Sequence, residues 1–91
     1  GRKGATNKPW EGGSEPIASP WQLLSASPIP FNEKLATPKE MTLDDMNQIV
    51  SEFVQATQNA DAAGFDMIEL QAHHGFLLAS FLSPLTNIRT D

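Results

Sequence analysis

The chain has 91 residues, of which 40% are hydrophobic and 19% are charged, a composition typical of a globular protein. Its net charge of −5 argues against nucleic acid as the main partner, because phosphate binding needs clustered lysines and arginines. No apolar run approaches the ~20 residues that cross a bilayer. The absence of cysteine excludes disulfides and Cys-ligated metals and is consistent with the cytoplasm. We therefore expect a cytoplasmic chain with no membrane or nucleic-acid partner.

Residues 1–40 are predicted to form a long loop. They hold six of the seven prolines and both tryptophans, and proline restricts φ and removes a backbone donor. A loop of about 40 residues is too long for a compact small domain and is typical of a lid or of part of a larger protein. The chain begins at Gly1 without an initiator methionine, so we expect its natural start to lie upstream.

Residues 42–63 are predicted to form a helix. Thr42 followed by Asp45 indicates a capping box, with aspartate in place of the usual glutamate. Gly64 suits the left-handed position that ends a helix. Side chains at three- and four-residue spacing predict one buried stripe, which comprises Met46, Ile49, Val50, Phe53, Thr57 and Ala60.

Residues 65–70 are predicted to form a strand. Its apolar side chains alternate to both faces, as in a parallel sheet that is buried on both sides. Residues 71–91 are predicted to form a loop with a short helix at 76–82, which Pro84 ends. One helix and one strand do not enclose a core, so the sequence indicates a piece of a larger α/β protein. Because the lone strand has unpaired edges, we expect the isolated chain to form a homo-oligomer or to domain-swap.

Residues with chemical potential follow the predicted strand, in the run Gln71-Ala72-His73-His74-Gly75-Phe76. Imidazole can donate a hydrogen bond to a substrate oxygen near neutral pH, and glycine permits a sharp turn. The residues alone leave three interpretations open: a ligand-facing histidine, a structural histidine pair or a metal site. A metal site is the weakest, because adjacent histidines do not readily direct both rings at one ion.

A long motif includes this run. It consists of Gly64-Phe65-Asp66, Ile68-Glu69-Leu70, His74-Gly75-Phe76-Leu77, Phe81-Leu82-Ser83-Pro84, Asn87 and Arg89-Thr90-Asp91. Three further runs accompany it: Gly1-Arg2-Lys3, Pro9-Trp10-Glu11-Gly12 and Ser27-Pro28-Ile29-Pro30-Phe31. Together they resemble the old yellow enzyme family, in particular its xenobiotic-reductase subgroup and the reductase part of salicylyl-CoA and aminobenzoyl-CoA hydroxylases.

The resemblance implies an α/β fold that is a fragment of a (β/α)8 TIM barrel. Residues 1–40 would follow the third strand, 42–63 would be the third helix, 65–70 the fourth strand, and 71–91 the active-site loop. The implied cofactor is FMN, with NADH or NADPH as reductant and an enone or an aromatic CoA thioester as the small-molecule substrate. Most flavin contacts of the family lie outside this segment, so we expect the isolated chain to bind FMN weakly or not at all and to be inactive.

The resemblance also implies roles for particular residues. Gln71 and His74 would be the catalytic pair that donates hydrogen bonds to the substrate, although the family has two histidines, or histidine and asparagine, at these positions. Phe76 would line the substrate site. It replaces a tyrosine often credited with proton delivery, so water or another residue would supply the proton, or alkene reduction is not the native reaction. Arg2 would lie near the active-site face as a cofactor-binding residue.

Several other expectations concern the surroundings of this site. His73 replaces a small residue of the family and is expected to pack beside the loop. Asn87, Arg89 and Asp91 are expected to brace the segment after the strand, with Arg89 paired to a carboxylate such as Glu69. The alternative to an enzyme is a non-catalytic binding or assembly module derived from a barrel fragment.

Overall fold

The computed structural model describes residues 1–4, 6–11 and 21–91, and the chain divides into two units. The first unit comprises Gly1–Glu40 and Gln71–Asp91, and the second comprises Met41–Leu70. The elements in chain order are a 3-10 turn at Pro9–Glu11, β1 at Leu24–Ser25, β2 at Lys39–Glu40, α1 at Leu43–Ala62 and α2 at Ala79–Leu82. No helix among the described residues is long and apolar enough to cross a membrane.

The first unit contains a short parallel strand pair that the sequence did not predict. In β1 and β2, Leu24 pairs with Lys39 and Ser25 pairs with Glu40. The backbone N–H of Lys39 also donates to the carbonyl of Leu23 at 2.8 Å. The prediction of an unbroken loop over residues 1–40 is therefore wrong at these four positions, because ladder pairing between distant residues leaves no local signal.

Buried hydroxyl groups connect the two sequence segments of the first unit. The Oγ of Ser80 accepts a hydrogen bond from the backbone N–H of Ala26 at 3.2 Å. The Oγ of Ser27 accepts one from the N–H of Ile88 at 3.0 Å, and the hydroxyl of Thr86 donates to the carbonyl of Ser80 at 3.0 Å. These bonds hold the chain around β1 against α2 and the residues that follow it.

The second unit is dominated by α1, which begins and ends as the sequence predicts to within one residue. The predicted capping box is present, since the N–H of Asp45 donates to Thr42 Oγ1 at 3.0 Å and the N–H of Thr42 donates to Asp45 Oδ2 at 2.8 Å. Gly64 follows the helix in the left-handed conformation, with φ of 87°. The prediction of a buried stripe on α1 is wrong for the described residues, since no residue of α1 is buried. Three members of the stripe are half-buried and three are exposed.

The predicted strand at residues 65–70 is not formed. All six residues are exposed and have no strand partner among the described residues. A β-strand is held by hydrogen bonds to neighbouring strands, so a sequence suited to a buried strand stays irregular without them. The predicted helix at 76–82 is shorter than expected and occupies Ala79–Leu82.

Candidate functional site

The candidate site is the turn formed by residues 71–76, which we call the polar turn. His74 adopts the left-handed conformation with φ of 59°, and Gly75 follows with φ of 73°. The N–H of Phe76 donates to the carbonyl of His73 at 3.3 Å and closes the turn. A non-glycine residue in this conformation costs on the order of 1 kcal/mol, so the surrounding contacts must hold His74 there.

The side chains of the polar turn face solvent. Gln71, His73, His74 and Phe76 are all exposed. The two imidazole centroids lie 4.3 Å apart at a tilt of 59°. The ring centroids of His74 and Phe76 lie 6.5 Å apart, with the ring planes inclined by 28°. The turn therefore presents an amide, two imidazoles and an aromatic ring, which can donate hydrogen bonds to an oxygen and stack on a flat ligand.

The start of the chain packs against the polar turn. A Cβ atom on Gly1 would lie 2.7 Å from the backbone nitrogen of Leu77, so no other residue fits there without a shift of the backbone. The Nζ of Lys3 donates to the carbonyl of His74 at 3.0 Å. The sequence assigned a role to Arg2 but none to Lys3, which appeared only as a member of the Gly1-Arg2-Lys3 run of the family motif.

Arg2 lies beside the same region. Its Nη1 donates to the carbonyl of Pro30 at 3.2 Å, and its guanidinium carbon lies 5.6 Å from the centre of the Phe31 ring. Its Nε is buried and has no hydrogen-bond partner among the described residues. Because buried N–H groups are nearly always paired, this donor is free for an acceptor that the described residues do not supply.

Arg89 braces the segment that follows α2. Its Nη1 donates to the carbonyl of Ala26 at 3.1 Å and to Glu40 Oε1 at 3.2 Å, and its Nε donates to Asp91 Oδ1 at 2.8 Å. The hydrogen bonds to Arg89 lower the pKa of Asp91, and the same bonds raise the pKa of Arg89. Glu40 and Asp91 are thus carboxylate partners of Arg89, as the sequence suggested in kind, and the pairing of Arg89 with Glu69 in particular stays a prediction.

The sequence of the chain matches a known protein family. The sequence model of the NADH:flavin oxidoreductase / NADH oxidase family matches residues 5–91. Members of this family fold as TIM barrels, so the α/β class expected from the sequence stands, and this chain has the size of a barrel fragment.

Curated relatives give the same result. An NADPH dehydrogenase of Bacillus velezensis is 51% identical over 69 residues, which cover 76% of this chain and 20% of that protein. An NADPH dehydrogenase of Geobacillus thermodenitrificans is 49% identical over 72 residues, covering 79% of this chain and 21% of that protein. An NADPH dehydrogenase of Bacillus subtilis is 49% identical over 69 residues, which cover 76% of this chain and 20% of that protein.

The chain belongs to the NADH:flavin oxidoreductase family, and the resemblance to old yellow enzymes is confirmed. It spans about a fifth of the length of the curated relatives that it matches.

Proposed function

We propose that the chain is part of an FMN-dependent oxidoreductase that transfers hydride from NAD(P)H to an electron-poor acceptor, such as an enone or an aromatic CoA thioester. In this proposal α1 is the third helix of the barrel, residues 65–70 become its fourth strand, and the polar turn lies at the carboxyl end of that strand. Active sites of barrel enzymes lie at this end. The names of the relatives favour NADPH as the reductant.

The observation that carries the proposal is the left-handed turn at His74 and Gly75. This turn exposes hydrogen-bond donors directly after residues 65–70, the segment proposed to form the fourth strand. FMN, when bound, supplies the hydride acceptor and donor. Hydride addition to a substrate carbon pushes negative charge onto the conjugated oxygen, and fixed hydrogen-bond donors stabilise that charge. Gln71 and His74 are proposed to be these donors. Gln71 donates through an amide, which cannot become cationic, so it stabilises that charge less than a second imidazole could.

Phe76 is proposed to be an apolar wall of the acceptor site. A phenyl ring has no proton to transfer, so protonation of the reduced acceptor needs water or another side chain. An acceptor whose reduction requires no proton from the side chain at position 76 is equally compatible with this chain. The free Nε of Arg2 fits a cofactor or ligand acceptor atom, and we propose Arg2 as the contact of this chain to FMN.

The proposal is tested by titrating the full-length protein, loaded with FMN, with a phenol. A phenolate held over the flavin gives a long-wavelength charge-transfer band. Replacing His74 by alanine should weaken phenol binding by about tenfold or more, the effect of losing a charge-assisted hydrogen bond. His73→Ala is the matched control, because it removes an equally exposed imidazole from the same turn.

The outcomes separate the two candidate functions. A band that His74→Ala weakens and His73→Ala leaves in place supports the oxidoreductase with His74 as donor. Equal effects of the two variants would contradict the assigned role of His74. A full-length protein that takes up no FMN would instead indicate a non-catalytic module.

A further inference from the structure

We infer that Lys3 is a positioning residue, which holds His74 in the orientation that the acceptor requires. The inference rests on the proposed function of His74 and adds a residue from the distant start of the chain. Lys3 reaches the polar turn through its Nζ, which donates to the carbonyl of His74 at 3.0 Å across a sequence separation of 71 residues.

Two aromatic rings hold the ammonium group of Lys3 in place. Its Nζ lies 4.8 Å from the centre of the Phe31 ring and 5.6 Å from the centre of the Phe76 ring. Both distances fall within the range in which a cation is attracted to the face of an aromatic ring. The lysine is therefore held between the loop after β1 and the polar turn, and its hydrogen bond goes to the backbone of His74 and not to the imidazole.

The backbone of the polar turn needs such support. His74 and Gly75 are consecutive left-handed residues, and His74 has a Cβ that disfavours this conformation. The bond from Lys3 uses the carbonyl of His74 itself, so it acts directly on the peptide group that joins the strained His74 to Gly75. Without this bond the peptide group can rotate, and the imidazole of His74 changes its orientation with it.

The stem of Lys3 also packs closely on the turn. A Cβ atom on Gly75 would lie 3.2 Å from Cδ of Lys3. The glycine thus serves two requirements, since it accepts a positive φ and leaves room for the lysine stem. Gly1, which has no room for a side chain beside Leu77, keeps the start of the chain close to the turn.

The test uses the full-length protein with bound FMN and the phenol titration described above. Lys3→Met removes the charge and the donor while it keeps the stem. It should weaken phenol binding by up to about tenfold, because the effect on the ligand cannot exceed the energy of the lost, solvent-exposed hydrogen bond. Lys3→Arg should recover most of the affinity, because it restores a cationic donor. Lys8→Met is the control, since Lys8 also lies over an aromatic ring, at 5.8 Å from Trp10, and pairs with Glu11.

A double-mutant cycle separates positioning from direct ligand contact. If Lys3 acts through His74, Lys3→Met should have little effect in a protein that already carries His74→Ala. A tenfold loss that persists in that background would overturn the inference and would indicate that Lys3 contacts the ligand. Equal affinities of Lys3→Met and Lys8→Met would overturn it as well.

The cycle also distinguishes failure of this inference from failure of the proposed function. If His74→Ala leaves phenol binding intact, the proposed role of His74 fails. If His74→Ala weakens binding and Lys3→Met does not, only the role of Lys3 fails. Should Lys3→Met lose FMN, Lys3→Gln takes its place. It removes the charge and shortens the side chain but keeps an N–H donor, so it should weaken phenol binding less than Lys3→Met would, and an affinity equal to that of Lys8→Met would overturn the inference.

Discussion

Replacing Ser80 by alanine should destabilise the protein by about 2 kcal/mol. The Oγ of Ser80 accepts from the N–H of Ala26 at 3.2 Å and donates to the carbonyl of Leu77 at 2.6 Å. Ala26 is fully buried, so the substitution leaves its N–H without a partner, at a cost of roughly 1–3 kcal/mol. The carbonyl of Leu77 keeps the N–H of Ser80 as a second donor, at 3.1 Å, so its loss is small.

Ser51→Ala is the matched control for this prediction. Ser51 is exposed on α1, and its hydroxyl donates to the carbonyl of Asn47 at 3.0 Å. Alanine is the better helix former, so this change should be neutral or stabilising by up to about 0.5 kcal/mol. Urea unfolding of the full-length protein measures the free energy of unfolding of both variants. The FMN concentration is kept fixed, so that bound FMN contributes the same stabilisation to each variant. A difference between the two variants below about 0.5 kcal/mol would refute the reasoning.

Three other perturbations test separate features of the chain. Thr42→Ala removes the capping box of α1 and should cost about 1 kcal/mol in the same unfolding assay. Because the hydrogen bond to Arg89 lowers the pKa of Asp91 from its ordinary value of 3.8, the ionised carboxylate stabilises the folded state. This stabilisation is complete above the ordinary pKa and is lost as the pH falls through the lower folded value, and Asp91→Asn should abolish that acid dependence. Gly75→Ala should cost on the order of 1 kcal/mol and weaken phenol binding, since φ is 73° and the new Cβ meets the stem of Lys3.

Each of these three predictions can fail. Unchanged stability of Thr42→Ala would mean that the first turn of α1 is held by other contacts. If the loss of stability at low pH were the same in Asp91→Asn and in the parent protein, the role of the carboxylate would be contradicted. High salt should reduce that loss, because the Asp91 side chain is about half exposed. Full phenol affinity in Gly75→Ala would show that the turn tolerates a side chain at this position.

The helix α1 was predictable because its signals are local. The capping residues Thr42 and Asp45 and the terminating Gly64 lie within a few residues of the backbone groups that they satisfy. The strand at residues 65–70 was not predictable in the same sense, because a strand exists only with its neighbours. Its apolar side chains are exposed, although their pattern is typical of a strand that is buried on both faces. Among the described residues, no neighbouring strand covers them.

The polar turn was found from its residue types and from the family motif, and the structure adds how it is held. The left-handed backbone at His74 left no signal in the sequence, since a non-glycine residue seldom adopts it. The sequence predicted a carboxylate partner for Arg89 but did not indicate Glu40, because Glu40 is 49 residues away and its approach depends on the pairing of β1 and β2.

The sequence by itself determined the family, the α1 helix with its capping residues, and the presence of donors at positions 71 and 74. These depend on residue identity and on interactions between near neighbours. Only the tertiary structure decided that Lys3 meets the carbonyl of His74, that Ser80 satisfies Ala26, and that Arg89 joins Glu40 to Asp91. Most of these contacts join residues that are far apart in the chain. Their geometry depends on the path of the backbone between the two residues and not on local conformational preferences.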